Sequence, residues 1–372
     1  MVAAVLLGCL LLSVLVQIVY AILLFNQLRL RPFNNPVEFM ALRPVSIVIC
    51  ARNEAHNLAQ HLPLILAQRY NNAPANAAFE VIVVDDASTD NTADILAGLP
   101  VRVVTLPPPA ATDRYSGKKR AIMAGVAAAQ YPWLAFIDAD CYPASDYWLM
   151  TLMGPLSMEK ELVAGVGLYD RMPGLLNAFI RWETMHTFLQ YASYALAGQP
   201  YMAVGRNMAC TRTAFDKAAQ SPIWQQLPYG DDDMLVTIAG NATNVAVVTT
   251  PQSFTFSAPA TSWKDWFSRK QRHMSTGKYY RAWPKILLSL YGIAHALCWL
   301  LFFIMVFTPF AGYAVMLMLL RCVCIYYCWS LAAVQLNEKN LRSRFLLFDI
   351  LWMVYNFALA PYIIWKNKQH WK

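Results

Sequence analysis

Val81-Ile82-Val83-Val84-Asp85-Asp86-Ala87-Ser88-Thr89-Asp90 runs four β-branched residues straight into acids and turn formers. An unbroken apolar run of this kind is the signature of a parallel strand covered on both faces, and ligands of open α/β sheets bind beyond the carboxyl ends of such strands. The same grammar repeats on either side. Upstream, Pro44-Val45-Ser46-Ile47-Val48-Ile49-Cys50 is a strand that enters the loop Ala51-Arg52-Asn53-Glu54, followed by helical spacing from Asn57 to Ala67. Downstream, a helix runs through Gly98, capped by Ser88 or Thr89. A third strand, Val101 to Leu106, leads to Gly117-Lys118-Lys119-Arg120 and a small-residue helix from Ala121 to Gln130. The fourth strand, Trp133 to Ile137, ends in Asp138-Ala139-Asp140. The expectation is an α/β nucleotide-binding domain with one crevice along the sheet edge, holding Asp85, Asp86, Asp138 and Asp140.

Outside this middle the texture is apolar. The chain has 372 residues, 58% of them hydrophobic, above the ~45–50% usual for soluble proteins. Val2 to Phe25 carries no charge and is long enough to cross a bilayer; it is too long for a signal peptide, and its basic residues, Arg29 and Arg31, follow it. Ile286–Phe307, Phe310–Val334 and Phe345–Trp365 are three more segments of crossing length. They are separated by the turn at Thr308-Pro309 and by the polar loop Asn337-Glu338-Lys339-Asn340 with Arg342 and Arg344. Arg29, Arg31 and that loop place the central domain in the cytosol by the positive-inside rule. Three full crossings put Lys366, Lys368 and Lys372 on the opposite face, so an interfacial or re-entrant segment is the alternative. The expected organisation is a membrane helix at 1–27, a cytosolic domain at 43–283 with an interface segment at 261–283, and about three membrane helices at 286–366.

Eight cysteines are scattered without metal-type pairs and read as reduced packing residues, Cys324 and Cys328 included. The formal charge of +8 comes without a basic stripe or aromatic module for nucleic acid. Anionic headgroups and a diphosphate ligand account for it more simply.

Two aspartates one residue apart at a strand end face the same side and offer oxygen to Mg²⁺ or Mn²⁺. Alone, Asp138-Ala139-Asp140 is as well read as a turn before Pro143. In sequence with the other stretches, the chain resembles the membrane-bound glycosyltransferases of family 2, which include cellulose, chitin and hyaluronan synthases and ceramide glucosyltransferases and have the GT-A fold. The resemblance spans about residues 44 to 283. Ser46 to Glu54 is similar to the family's opening strand and loop, Val83 to Asp90 to its nucleotide-base motif, and Asp138 to Asp140 to its metal motif. Gly117-Lys118 is similar to its lysine before a small-residue helix, and Gly205-Arg206-Asn207-Met208-Ala209 to its acceptor-side loop. Gly230-Asp231-Asp232-Asp233 stands where the family has Thr-Glu-Asp.

This resemblance implies an inverting, metal-dependent transfer of sugar from a nucleotide-sugar donor, a UDP-sugar first, to a lipid or saccharide acceptor. It implies Asp232 as the catalytic base, with Asp231 or Asp233 as alternatives of register. It assigns Glu54, Asp86, Lys118, Asp138 and Arg272 to the donor, Asp138 and Asp140 to Mg or Mn, and Asn207, Asp231 and His273 to the acceptor side. Three adjacent carboxylates repel, which raises at least one pKa; as a solvated turn the cluster would be costly without function. One motif departs from the family pattern. Polymer-extending members carry Gln-x-x-Arg-Trp, whereas this chain has Arg269-Lys270-Gln271-Arg272-His273. The arginine that pairs with diphosphate remains, and processive elongation is in doubt. The same segment also reads as a basic interfacial helix anchored by Trp263, Trp266 and Trp283. Between Pro173 and Gly198 a helix with few charges either lines an acceptor path or packs the core, and His186 reads as a satisfied helix residue. The rival readings are a polyprenyl-phosphate glycosyltransferase, a non-catalytic transporter or scaffold, and a sugar-phosphate nucleotidyltransferase. The last lacks its glycine loop around Ala51 to Glu54.

Overall fold

The structure is a computed structural model that describes residues 1–30, 43–70, 79–110, 113, 115, 117–156, 159–227 and 229–365. Arg31, Lys366, Lys368 and Lys372, on which part of the charge argument rests, lie outside the described residues.

Among the described residues ten strands form two sheets: β1 (Val45–Ala51), β2 (Phe79–Asp86), β3 (Arg102–Leu106), β4 (Trp133–Phe136), β5 (Cys141–Pro143), β6 (Leu162–Ala164), β7 (Gly167–Tyr169), β8 (Met208–Thr211), β9 (Val245–Val247) and β10 (Thr255–Ser257). Seven of them make a mixed sheet in the order β3-β2-β1-β4-β8-β6-β9, and β5-β10-β7 make a small second sheet. β1 pairs in parallel with both β2 and β4. The chain therefore winds outward one way through β2 and β3, then returns to the other side of β1. That reversal opens a crevice at the carboxyl ends of β1 and β4, where α/β sheets bind ligands. Every residue of β1 is buried, as its continuous apolar run requires.

Helices cover both faces. Ala55–Leu66 buries Leu58, Leu62 and Ile65 on one face. Lys118–Ala128 lies on the other, where Gly125 sits so close that a Cβ there would meet Val48 Cγ1 at 2.5 Å and Val84 Cγ2 at 2.9 Å. The small-residue character of this helix is thus a packing requirement. β8 is antiparallel to both β4 and β6. Strands of three or four residues carry too little periodicity to read locally, and β5 to β10 were not expected.

Among the described residues four helices are long and apolar enough to cross a membrane: Val2–Arg29, Ala282–Met305, Ala311–Gln335 and Lys339–Ala360. They join the α/β domain through the Leu175–Leu196 helix, in which sixteen of twenty-two residues are buried. One continuous core runs from Val48 and Val84 in the sheet through Trp182 and Tyr191 to Trp329 and Phe348 in the bundle. Core packing, one of the two readings of this helix, is what it does. His186 departs from expectation: its ring lies against Trp182 and Trp352, and Nε2 has no hydrogen-bond partner among the described residues. Trp263 and Trp283 are exposed, as membrane anchors would be, but Trp266 is buried against Phe179 and Tyr355. All eight cysteines are free thiols.

Candidate active site

The crevice is built by loops that interlock. Asn53, at the end of β1, adopts φ 57°, a left-handed conformation that asparagine tolerates better than most residues. This turns its side chain so that Oδ1 accepts from Thr89 N at 2.7 Å, while Asn53 N donates to Ser88 Oγ at 2.9 Å. Ser88 and Thr89 are therefore spent on cross-loop bonds and do not cap the following helix. Asp90 does that work: its carboxylate accepts from Thr92 N at 3.1 Å and from Ala55 N at 3.1 Å, stitching the β2 loop to the helix after β1.

At the end of β2, Asp85 accepts from Ser88 N, and Asp86 is buried with Oδ1 3.0 Å from Arg120 Nη1. Burial pushes the Asp86 carboxyl up, against Arg120 and Arg52, which hold it down. Glu54 accepts from Asn57 Nδ2 at 2.6 Å; its pKa is raised by burial first, with Asp140 and Asp138 adding to it. Glu54 thus faces the same acidic pair across the crevice.

Lys118 is the central cation. The helix begins at this residue rather than at Ala121, which points its ammonium into the crevice, 2.6 Å from Asp138 Oδ1 and 3.3 Å from Asp231 Oδ2. It thereby links the end of β4 to the acidic turn about a hundred residues later. Asp138, Asp140 and Cys141 each place a ligand atom within 4.8 Å of the others. Burial raises the Cys141 thiol well above its usual range, and the two carboxylates are the hard oxygen donors of the three. Oxygen donors of this kind suit a hard divalent cation such as Mg²⁺ or Mn²⁺.

Asp232 stands at the start of the Asp233–Ala239 helix. Oδ2 accepts from Gly205 N at 2.7 Å and Oδ1 from Asp233 N at 2.8 Å. Burial, then Asp231 and Asp233, push its pKa up to about 7, with Lys118 opposing. The repulsion expected of three consecutive acids is shared: Asp233 is raised too, by burial first, with its hydroxyl partners opposing and Asp231 adding to it. Asp233 accepts instead from Met234 N at 2.7 Å, from Tyr280 OH at 2.8 Å and from the Thr276 hydroxyl. Its carboxylate is engaged in holding the turn to residues 276 and 280.

Asn207 is not at the surface of the site. Its side chain is completely buried, accepts from Trp148 Nε1, and donates to Val166 O and Ser253 O. It pins β8 to the small-sheet loops and presents no atom to an acceptor. Its neighbour Arg206, part of the same loop but not among the candidate site residues, donates to Ser257 Oγ and Gly167 O, with its guanidinium 4.2 Å from the Tyr169 ring. Asp140 and Asp138 both act on its charge. In the Trp263–Met274 helix, Arg269 is spent on Asp265 and Lys270 on the buried Glu183 of the Leu175–Leu196 helix. Arg272 acts electrostatically on Tyr229, just before the acidic turn, and His273 stands among Lys270, Arg272 and Arg206. Lys119 was also missed. It is buried, donates to Trp224 O and Leu227 O, and is pushed down to about 8 by burial. Only its place in the Lys118-Lys119-Arg120 run marked it.

A parallel half-sheet with acids at its strand ends, a lysine across the crevice and membrane-length helices on both flanks define the class: the fold is GT-A. Residues 46–218 match the family described as glycosyl transferase family 2, so this part of the chain is similar to that family. The mannosyltransferase PcManGT of Pyrobaculum calidifontis, solved in complex with GDP-Man and Mn²⁺, superposes with a TM-score of 0.58 at 16% identity, covering 96% of this chain and 99% of that one. "Probable glycosyltransferase YdaM" of Bacillus subtilis (strain 168) is 26% identical over 251 residues, 64% of this chain. "Succinoglycan biosynthesis protein ExoO" of Rhizobium meliloti (strain 1021) is 34% identical over 109 residues, 28% of this chain. The matched regions span 56% and 28% of the lengths of these two relatives.

Proposed function

We propose that the protein is embedded in a membrane and transfers a sugar, with inversion, from a nucleotide-sugar donor to a lipid or saccharide acceptor at the cytosolic face. The observation that carries this reading is Asp232: a buried carboxylate fixed by Gly205 N and Asp233 N, next to the Asp231 that meets the Lys118–Asp138 pair, and pushed up to about 7 by burial and its acidic neighbours. A base with that pKa takes a proton from an acceptor hydroxyl near neutral pH and holds it through the displacement. Inversion follows when the base and the leaving diphosphate lie on opposite faces of the sugar, which this assignment requires of Asp232 and of a diphosphate held at Asp138.

Asp86 is assigned to the nucleotide base, with Arg120 keeping its carboxylate charged and oriented. Glu54 completes that wall. Lys118 and Arg272 are assigned to the diphosphate, where fixed positive charge stabilises the developing negative charge of the leaving group. Asp138 and Asp140 would hold a divalent cation, which when bound supplies Lewis-acid neutralisation of the diphosphate oxygens. The GDP-Man and Mn²⁺ in the mannosyltransferase complex support a nucleotide sugar and a divalent ion here, with Mg²⁺ or Mn²⁺ as candidates and UDP-sugars to be tried first. Asp231 and His273 are assigned to the acceptor side. The basic loop at Lys339, Arg342 and Arg344 supports the cytosolic orientation.

The test is release of nucleoside diphosphate by the purified protein in detergent from a panel of UDP- and GDP-sugars with Mn²⁺ or Mg²⁺. Turnover that needs the metal, Asp138 and Asp232 supports the reading. Neither turnover nor binding of UDP or GDP would sink it.

A further inference from the structure

The short helix that begins after Asp232 is gripped at both ends by one segment, residues 275–281. At its start, Tyr280 OH and the Thr276 hydroxyl both donate to Asp233. At its end, the Arg281 guanidinium donates to Gly240 O at 3.0 Å and also to Pro200 O. The fit at the start is tight: Gly230, at φ +80°, leaves room for no side chain, since a Cβ would lie 2.6 Å from Asp233 Oδ1 and 2.7 Å from Thr276 Cγ2. The gripping segment continues without interruption into the membrane-length helix Ala282–Met305. The Tyr280 ring also packs on Tyr201, and Tyr201 on Tyr194 of the Leu175–Leu196 helix.

We propose that Thr276, Tyr280 and Arg281 are positioning residues that fix Asp232 through Asp233 and Gly240, and so tie the place of the base to the first C-terminal membrane helix. The proposal rests on the assignment of Asp232 as base. None of the three reaches the crevice in place of Asp232; they act on its backbone frame and on the charge beside it. The groups facing Asp233 are Asp231 and Asp232 on its own turn, Lys119 from the helix behind, Tyr201, and Tyr280 with Thr276. Burial pushes the Asp233 carboxyl up and the two hydroxyls oppose it in favour of the ionised form, and ionised Asp233 in turn raises the Asp232 pKa. Removing them weakens that chain, so the Asp232 midpoint falls.

The experiment uses the full-length protein in detergent, with Tyr280→Phe, Thr276→Val and Asp233→Asn beside wild type and Asp232→Asn. Nucleoside diphosphate release is followed across pH 5.5–9, and UDP and GDP binding with Mn²⁺ is measured on the same samples. The expected result for Tyr280→Phe and Thr276→Val is kcat down about tenfold, roughly what misplacing a catalytic group costs at the low end. The KM for donor and nucleotide affinity stay within twofold. The acid limb of the pH profile moves to lower pH, furthest in Asp233→Asn. Unchanged kcat and an unmoved acid limb would overturn the proposal, as would kcat and nucleotide affinity falling together. Tyr280→Phe deletes a single oxygen and Asp233→Asn is isosteric, so failure of Thr276→Val to fold leaves both other readings in place. Turnover retained in Asp232→Asn would instead sink the base assignment itself.

Discussion

Asp232 shows how three identical side chains in a row acquire different chemistry. Asp231 meets Lys118, Asp233 meets two hydroxyls and a backbone N–H, and Asp232 meets two backbone N–H groups while facing both neighbours' charge. A general base must be deprotonated to act. With its pKa at about 7, kcat/KM should therefore rise through pH 7 and level off above it; a pH–rate profile of donor consumption checks this, and a profile flat from pH 5.5 upward would contradict it. Asp232→Asn should lower kcat by about 10²–10⁴-fold, the usual worth of a general base, with UDP or GDP affinity intact. Lys118→Met should behave differently. It removes the cation that separates Asp138 from Asp231, so nucleotide affinity and kcat should both fall, and isothermal titration beside kinetics will show whether they do.

At the scale of elements, the Lys118–Ala128 helix was readable as a helix, but its first turn was not. Starting at Lys118 instead of Ala121 converts a loop lysine into a fixed one, because only the helix frame aims its ammonium at β4. The glycine within that helix is equally constrained. Gly125→Val gains helix propensity but drives side-chain atoms into Val48 and Val84, whose β-branched carbons cannot swing away. Overpacking of this kind costs about 1–3 kcal/mol, so thermal unfolding should come several degrees lower than in wild type. The basic segment at 261–283 reads both as interfacial and as the carrier of the family's arginine motif. In the Trp263–Met274 helix Trp263 is exposed, while Trp266 and Lys270 turn inward to Phe179 and Glu183. Sequence spacing fixes which residues share a helix face; what lies opposite that face is set by the rest of the chain.

Across the whole molecule, the membrane-length helices are joined by a buried polar network. Arg321 pairs with Asp349 and donates to Gln17 Oε1, while His295 and Trp299 also reach Asp349, so all four helices contribute a side chain. An isolated charge in such surroundings is expensive, and removing one partner of a buried pair costs about 3–5 kcal/mol. Asp349→Leu alone should therefore lose folded protein in detergent, read as a broad or shifted peak in size-exclusion chromatography. Asp349→Leu with Arg321→Met should recover much of it, since the unpaired charge is gone. If the double variant is no better than the single, the pair does not carry the bundle.

The sequence by itself determined where the strands of the parallel half-sheet end and which acids stand there, because buried-strand runs and strand-end turns are local signals. It determined the four apolar segments for the same reason. Tertiary structure decided what each polar group has opposite it: Arg120 for Asp86, Lys118 between Asp138 and Asp231, the core amide network for Asn207, and the Thr276–Tyr280 grip on Asp233. These partners lie tens to more than a hundred residues apart, and no periodicity of three or two residues records a meeting at that distance. The short strands β5 to β10 belong to the same category, since pairing across the sheet, rather than their own composition, makes them strands.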